Sequence, residues 1–270
     1  MRILITNDDG IRSPGLTVLE QIAAEISSDV WVVAPEADCS DAFGAPTVCK
    51  PLRLQQVGSQ RYSLTGTPAD CVLVGIKLLL RDKRPGLLLA GVNAGENLAD
   101  DIFHSGTVAA AIHATLLEVP SISLSLITGG HNAEAKWQTP KRHGPALLRM
   151  LLKRGWPDDV LLNVNFPDCS PTEVKDFAFT EQGKRPARIW SVRHSNSECN
   201  HELCIQRHKS RPRRDTDLWA VQMGRISVTP IKLDLTACLQ GVDEGRVNRM
   251  QRRATKPRRL SNAARNSTAR

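Results

Sequence analysis

Short aliphatic runs alternate with longer amphipathic segments along most of this chain. The run from Arg2 to Thr6 is aliphatic and β-branched, which predicts a strand of a parallel sheet that is covered on both faces. The segment SPGLTVLEQIAAEI has apolar residues at helical spacing, with Ser13 placed to cap the helix and Pro14 at its first position. The strand-like DVWVVAP follows, and this order predicts a right-handed crossover between parallel strands.

The same alternation continues as far as Pro167. Glu36 to Pro51 is polar and aperiodic, and we expect a long loop there. The other predicted elements are a short strand in RYSL, a turn at Gly66 to Pro68, a helix after it, the buried strand PGLLLAGVN, the helix SGTVAAAIHATLLE, the strand PSISLSL, a helix from about Pro140 to Arg154 and the strand DVLLNVNFP. This pattern is typical of an α/β fold with a mostly parallel sheet.

Beyond Pro167 the pattern changes to short strand-like pieces separated by charged segments, with no clear helix. We expect a β-rich excursion over residues 176–230, in which Gly224 to Ile231 is the clearest strand. The domain predicted from these patterns covers residues 1–243, and a basic, disordered tail covers 244–270.

The positive charge of the chain comes from the tail. Of the 36 Lys and Arg residues nine lie in 245–270, so the preceding part carries 27 basic against 28 acidic residues. A basic tail leaves nucleic-acid binding open as a rival function, but only 4% of the residues are aromatic, which disfavours a base-stacking surface. We therefore expect no nucleic-acid partner.

The seven cysteines are scattered and odd in number, which is typical of reduced thiols. Cys199, His201, Cys204 and His208 lie close together, but their spacing matches no strong zinc pattern and we expect no zinc site there. The chain has no apolar run long enough to cross a bilayer and no signal-peptide pattern at its start. We expect a cytoplasmic protein.

Polar side chains follow three of the predicted strands. Asp8 and Asp9 end the first, Ser40 lies in the loop after the second, and Asn93 follows LLLAGV. Because the carboxyl ends of parallel strands meet at one edge of a sheet, these groups are expected to converge, provided that the chain turns at Gly10. Oxygen ligands favour a hard cation such as magnesium, manganese or calcium. The alternative for Asp8, Asp9 and Asn93 is a structural role in tight turns.

A phosphate group also fits this edge of the sheet. Ser105, Gly106 and Thr107 open a helix, and the free N–H groups and dipole of a helix start attract anions. Together with a cation, they indicate metal-assisted hydrolysis of a phosphate ester. A dinucleotide-binding oxidoreductase would need GxGxxG after the first strand, where this chain has NDDG.

Several segments, in this order, resemble the SurE family of survival proteins, which are 5′-nucleotidases. They are ILITNDDGIRSPG, VVAPEADCS, LTGTPADCV, AGVNAGENLADDIFHSGTVAAA, LLNVNFP and GRISVTPIKLDLT. The similarity covers Met1 to about Thr236 and is weaker from about Pro186 to Arg214. The NDDG opening and the GVNAGEN and SGTVAAA block are, in combination, specific to the family.

The resemblance implies a Rossmann-like core with a protruding β-hairpin arm used in dimerisation, in a homodimer or homotetramer. It implies a phosphatase that hydrolyses nucleoside 5′-monophosphates with one divalent cation, Mg²⁺ or Mn²⁺. Alternatives are a broad-specificity phosphomonoesterase, an exopolyphosphatase, or a catalytically weakened nucleotide- or RNA-binding protein. The implied residues are Asp8 and Asp9 for catalysis, Asp8, Asp9, Ser40 and Asn93 for the metal, Asn97, Ser105, Gly106 and Thr107 for the phosphate, and Gly66 to Cys71 at the pocket border.

The sequence departs from the family at three positions near the site. Ser40 lies between Cys39 and Asp41, where the family usually has a basic residue before the serine and a glycine after it. Asp41 is expected either to weaken phosphate binding or to add a metal ligand. His104 occupies a position where the family usually has tyrosine.

Overall fold

In the computed structural model, the apolar runs form strands and the amphipathic segments form helices. The structure describes residues 1–40, 44–129, 134–185, 190–194, 201–205 and 211–236. The strands are β1 Ile3–Thr6, β2 Val30–Pro35, β3 Leu54–Gly58, β4 Arg61–Leu64, β5 Leu87–Ala94, β6 Ser121–Leu126, β7 Val160–Phe166, β8 Phe177–Phe179, β9 Trp190–His194, β10 His201–Ile205 and β11 Ile226–Lys232. The helices are α1 Pro14–Ala24, α2 Pro68–Val74, α3 Gly106–Leu116, α4 Gln138–Arg154 and α5 Asp217–Gln222, with a π-helical turn at Gly75–Leu79 and a 3₁₀ helix at Ala99–Phe103.

Nine of these strands form one mixed sheet in the order β3-β4-β2-β1-β5-β6-β7-β11-β8. From β4 to β7 every neighbouring pair is parallel, and β3 and β11 join antiparallel to β4 and β7. The predicted α/β fold with a mostly parallel sheet is confirmed. The carboxyl ends of β1, β2 and β5 consequently lie at the same edge of the sheet.

The sheet is buried on both faces, as the aliphatic character of β1 predicts. Ile3 and Ile5 point to one face and pack with Leu16 of α1 and with residues of α4, whereas Leu4 points to the other face and packs with Ala110 of α3. Ile3, Leu4 and Ile5 are all fully buried. Fixing β1 from both sides holds the backbone that leads into Asp8 and Asp9.

Two predicted helix starts are confirmed in detail. Ser13 caps α1 by accepting a hydrogen bond from the backbone N–H of Leu16, and Pro14 is the first helical residue. Thr67 caps α2 in the same way, and its own N–H donates to Asp70 in a capping box. These are local interactions within four residues, which explains why the sequence alone predicts them.

The region after Pro167 differs from the prediction in two respects. A short helix, α5, is present where no helix was expected, and Thr216 caps it by accepting from the N–H of Trp219. Strands β8 and β11 belong to the large sheet, and only β9 and β10 form a separate two-stranded antiparallel sheet. Strand β3 was also missed, because at the sheet edge its residues are mostly exposed and lack an apolar alternation.

Met1–Leu233 is one compact unit, and Asp234–Arg270 is a second, of which 234–236 are described. The predicted tail at 244–270 lies outside the described residues, so the boundary at 243 stays a prediction. Cys39, Cys49, Cys71 and Cys169 are free thiols, as expected for these four. No helix in the described ranges has the length and apolar character needed to cross a membrane.

Candidate metal and phosphate site

The turn after β1 depends on Gly10 and on a buried asparagine. Gly10 has a φ of +95°, and a Cβ atom there would lie 3.0 Å from the carbonyl carbon of Ala37. Asn7, which is fully buried, donates its side-chain amide to the carbonyl of Gly10 at 3.0 Å and to Oγ of Ser13 at 2.7 Å. The turn expected at Gly10 is confirmed, and it directs the two aspartates to different neighbours.

Asp8 is buried against the first turn of α3. Its Oδ1 accepts the hydroxyl of Thr107 at 2.5 Å, and its Oδ2 accepts the backbone N–H of Thr107 at 3.2 Å. Gly106 makes this approach possible, since a Cβ atom there would lie 3.0 Å from Oδ2 of Asp8. Burial raises the pKa of Asp8 above its ordinary value, although the hydrogen bonds from Thr107 oppose the shift.

Asp9 is partly buried and lies on the side of the site formed by β5. Burial, together with the charges of Asp8 and Asp38, raises its pKa to about 7, against the opposing effect of a hydrogen bond from the backbone N–H of Ala94. Its Oδ2 is buried and makes no hydrogen bond within the described structure. Such an oxygen is costly to leave without a partner, so the site favours a positive charge at this point.

Ser40 is bonded to Asp38, whose charge acts on both aspartates. The carboxylate of Asp38 accepts the Ser40 hydroxyl at 2.6 Å and its backbone N–H at 2.9 Å. The same segment is joined to β1 by a hydrogen bond from the N–H of Cys39 to the carbonyl of Asp8, at 2.8 Å. Because Asp38 also raises the pKa of both aspartates, the loop adds negative charge to the site as well as a hydroxyl.

Asn93 reaches the same edge through a bulge in β5. The register between β5 and β6 shifts by one residue between Ala90 and Asn93, and Gly91 lies inside the bulge with a φ of +130°. A Cβ atom on Gly91 would lie 2.2 Å from the carbonyl oxygen of Leu124, so only glycine fits. The side chain of Asn93 donates to the carbonyl of Gly95 at 3.1 Å, which leaves its amide oxygen for another partner.

The start of α3 carries the three residues that were predicted to bind a phosphate. Ser105 caps the helix by accepting the N–H of Val108 at 3.1 Å, and the N–H of Thr107 is bonded to Asp8. The N–H of Gly106 makes no hydrogen bond to any described residue. The expected grouping of Ser105, Gly106 and Thr107 against Asp8 is therefore present.

Asn97 lies in a buried network of polar side chains. Its amide nitrogen donates to Oγ of Ser125 at 2.8 Å, which engages one of the two N–H bonds. Its carbonyl accepts from Asn163 and Asn165, and its backbone N–H donates to Asn165 at 2.9 Å. This network fixes the loop that follows Asn93.

The far end of the same loop is held by two charged residues from the C-terminal region. The guanidinium of Arg185 donates to Asp101 at 2.6 Å and to Glu96 at 2.8 Å, and its side chain is only 12% exposed. Asp217, fully buried, accepts the N–H of Ala99 at 2.8 Å. The loop between Asn93 and Ser105 is thus anchored at both ends.

The site residues fit a hard cation better than a soft one. Nowhere in the described ranges do three or more His, Cys, Asp or Glu side chains form a group that could hold a metal ion. The available ligands are the carboxylates of Asp8 and Asp9 with the oxygens of Ser40 and Asn93, an all-oxygen set. One oxygen of Asp9 has no partner among the described residues, and the pKa of both aspartates is raised. Both features are expected of carboxylates that bind a divalent cation when the cation is not included.

Sequence reasoning missed three residues that shape this site. Asn7 is part of the NDDG motif, and its place directly before the two aspartates could have indicated a role in the site. No sequence pattern indicated that Asp38 or Arg185 would contact it. Asp41, Cys199 and His208 lie outside the described residues, as do the side chains of His201 and Cys204. The expectations about Asp41 and about zinc therefore stay untested.

Comparison with protein families gives one family model, Survival protein SurE, which matches residues 3–188. A relative from Brucella suis, named 5′-nucleotidase SurE, is 47% identical over 241 residues, which cover 88% of this chain and 94% of the relative. Another 5′-nucleotidase SurE, from Parvibaculum lavamentivorans, is 44% identical over 240 residues, which cover 87% of this chain and 87% of the relative.

The fold is also similar to that of an experimentally determined structure. The crystal structure of the SurE protein from Aquifex aeolicus superimposes with a TM-score of 0.76 at 34% sequence identity. The similarity covers 87% of this chain and 95% of the Aquifex chain.

Proposed function

This chain belongs to the survival protein SurE family, and we infer that it is a 5′-nucleotidase, which hydrolyses nucleoside 5′-monophosphates to nucleosides and inorganic phosphate. In the structure, the observation that carries this inference is the position of Asp8 and Asp9. The pair ends β1 at the sheet edge, and Asp8 is bonded to the first turn of α3. A carboxylate pair facing a helix start is suited to a phosphate ester that arrives with a cation.

The cation of this proposal is one Mg²⁺ or Mn²⁺, held by Asp8, Asp9, Ser40 and Asn93. Support comes from the unpartnered oxygen of Asp9 and from the mutual repulsion of the two carboxylates. When bound, such an ion would neutralise charge on the phosphate and make a bound water more acidic.

The protein's own groups would position the phosphate. The N–H of Gly106 and the positive end of the α3 dipole attract its oxygens. Asn97 would contribute its second amide N–H, since only the first is bonded to Ser125. Thr107 holds Asp8 in place and Ser105 keeps the helix start rigid, so these contacts need little reorganisation when substrate binds.

The reaction proposed is direct attack of water on phosphorus. A bond forms between the water oxygen and phosphorus, and the bond from phosphorus to the 5′ oxygen breaks. The attacking water loses one proton, and the leaving oxygen gains one, so the products are the nucleoside and inorganic phosphate. We propose no covalent phospho-enzyme intermediate. Asp8 and Asp9 are the catalytic residues of this proposal, because Asp8 is bonded to the helix start that would bind the phosphate and its neighbour Asp9 has a buried oxygen without a partner among the described residues.

The test is phosphate release from a panel of compounds by chelated enzyme, with and without added Mg²⁺ or Mn²⁺. The panel contains nucleoside 5′- and 3′-monophosphates, pyrophosphate, polyphosphate and an aryl phosphate. The proposal predicts metal-dependent release that favours the 5′-monophosphates. Preference for polyphosphate, or equal rates on all the monoesters, would replace it with an exopolyphosphatase or a broad-specificity phosphomonoesterase, respectively.

We also propose a cytoplasmic homodimer or homotetramer in which the hairpin of β9 and β10 contacts a second copy. Two observations support this. Among the described strands, β9 and β10 pair only with each other, and the side chain of Val192 in β9 is 61% exposed. Light scattering after size exclusion measures the assembly directly. A monomer at micromolar concentration would contradict this part of the proposal.

A further inference from the structure

A cleft of about 400 Å³ opens beside Asp9, and none of its lining residues belongs to α3. Its walls come from the turn after β1, the start of α1, the end of β2 and the residue before α4, including Arg12, Glu36 and Trp137. The volume falls within the range of about 300–1,000 Å³ that is common for small-molecule sites. Since Asp9 forms one end, a substrate whose phosphate lies at the aspartates has room for its other half here.

Trp137 supplies an aromatic surface to this cleft. It directly precedes α4, is partly buried, and packs against the apolar core formed by α1, α4 and one face of the sheet. The indole also contacts the start of α1, where a Cβ atom on Gly15 would lie 3.1 Å from the ring. A ring held in this way loses little conformational freedom when a flat group stacks on it.

Arg12 supplies a cation that has no partner among the described residues. Its side chain is exposed and makes no ion pair or hydrogen bond with another described residue, whereas the nearby Arg61 is paired with Glu20 and Arg53 with Glu36. Guanidinium groups stack on aromatic rings and donate hydrogen bonds to ring nitrogens and carbonyls. An arginine with no partner among the described residues, in a cleft that a partly buried aromatic ring also lines, is suited to a heterocyclic base.

Glu36 supplies a hydrogen-bond acceptor on the same cleft. Its carboxylate accepts two hydrogen bonds from Arg53, at 2.8 and 3.0 Å, and its side chain is 46% exposed, so a ligand in the cleft can reach it. A carboxylate near a nucleotide site is suited to accept the hydroxyl groups of a ribose.

We propose that this cleft binds the nucleoside half of the substrate, with the base between Trp137 and Arg12 and the ribose hydroxyls donating to Glu36. The proposal rests on the 5′-nucleotidase function inferred above and names its specificity-determining residues. Contacts to the base and the ribose would make the enzyme prefer nucleotides over small phosphate esters. The phosphate site alone cannot distinguish these substrates.

The test compares adenosine 5′-monophosphate with glycerol 3-phosphate, which has no base. Trp137→Leu is expected to lower the ratio of kcat/KM for the nucleotide to kcat/KM for glycerol phosphate by about tenfold or more, through a higher KM for the nucleotide. Trp156→Leu is the matched control, since Trp156 packs against the same apolar core without lining the cleft. A ratio does not depend on the fraction of enzyme that is folded, and an unchanged ratio in Trp137→Leu overturns the proposal.

The polar groups are tested in the same way. Arg12→Gln is expected to lower the ratio by several-fold, whereas Arg149→Gln, which removes an exposed arginine paired with Glu25, leaves it unchanged. Glu36→Gln is expected to reduce the preference for ribonucleotides over 2′-deoxyribonucleotides. Equal effects of Arg12→Gln and Arg149→Gln would contradict the role of Arg12.

Saturation-transfer NMR with adenosine tests the cleft without catalysis. The base protons are expected to receive saturation from wild-type protein and from Trp156→Leu, but several-fold less from Trp137→Leu. If wild type hydrolyses none of the esters yet gives this pattern, the inferred reaction is wrong and the nucleoside site stands. If the enzyme is active but adenosine shows no saturation, or equal saturation in all three proteins, the nucleoside site is wrong.

Discussion

Thr107 binds both oxygens of Asp8, with its hydroxyl at 2.5 Å from Oδ1 and its backbone N–H at 3.2 Å from Oδ2. The two residues are 99 positions apart in the sequence, and their contact joins the end of β1 to the first turn of α3. It brings the proposed metal ligand and the proposed phosphate site into one rigid unit.

Thr107→Val removes the hydroxyl with little change of shape. Asp8 then loses its one side-chain hydrogen bond from Thr107 and keeps those from backbone N–H groups. We expect a loss of about 1–2 kcal/mol in the free energy of unfolding and of about tenfold or more in kcat/KM. Thr115→Val is the control, because this buried hydroxyl of the same helix bonds to Ala111 and Ser121. It should destabilise the protein similarly and leave kcat/KM unchanged, and an equal loss of activity in both variants would contradict the role of Thr107.

Asp9→Asn should stabilise the metal-free protein at high pH. With a folded-state pKa of about 7 and an ordinary value of 3.8, Asp9 loses its proton first in the unfolded chain, so its ionisation reduces stability as pH rises from about 4 to 7. Urea unfolding in chelator is expected to show Asp9→Asn more stable by about 1–3 kcal/mol at pH 8, allowing for partial screening by solvent, and no gain at pH 3.5.

Asp29→Asn provides a control of opposite sign. Hydrogen bonds from Trp31 and Arg2 outweigh the effect of burial and hold the pKa of Asp29 below its ordinary value. Its ionised form therefore stabilises the fold above that ordinary value, and the contribution disappears as pH falls through the folded pKa. Asp29→Asn should be less stable than wild type at pH 8, and stabilisation by both variants would count against the assignment for Asp9.

Asn97→Asp tests whether the second amide N–H of Asn97 contacts the phosphate. The carboxylate can still accept from Ser125, but it replaces a donor with a negative charge, so KM for the nucleotide is expected to rise about tenfold or more. Ser125→Ala removes the partner of Asn97 without adding charge, and it should lower the melting temperature with little change in KM. Equal KM values in both variants would limit Asn97 to a role in shaping the loop.

Arg185→Met should destabilise the loop between Asn93 and Ser105. The substitution leaves Glu96 and Asp101, which are 14% and 22% exposed, without their ion pair to Arg185, and we expect a loss of about 2–4 kcal/mol measured by urea unfolding. Arg149→Met breaks an exposed pair and is expected to change stability by less than about 0.5 kcal/mol. A similar, small effect of both substitutions would show that Arg185 does not anchor the loop.

Local sequence signals predicted the elements that depend on local interactions. Ser13 with Pro14 and Thr67 with Pro68 mark helix starts because the capping bonds span three residues. The placement of Asp8 and Asp9 at the sheet edge followed from the aliphatic run before them and from the rules of parallel sheets. By contrast, the short helix α5 and the edge strand β3 carry little apolar periodicity and were missed.

The partners of the site residues could not be predicted in the same way. The pairing of Asp8 with Thr107, of Asn97 with Ser125 and of Arg185 with Asp101 joins segments that meet only once the sheet has formed. Likewise, Arg12 and Trp137 line one cleft only because the start of α1 packs close to the start of α4. These contacts depend on tertiary packing, which no local pattern records.

The most direct test of the central claim is phosphate release from adenosine 5′-monophosphate by wild type and Asp8→Asn, each titrated with Mg²⁺ and Mn²⁺ after chelation. The account predicts release by wild type that requires the metal, and a loss of at least about 100-fold in kcat together with weaker metal activation in Asp8→Asn, which stays folded. Unchanged turnover and metal affinity in Asp8→Asn, or full activity of wild type in chelator, would contradict it.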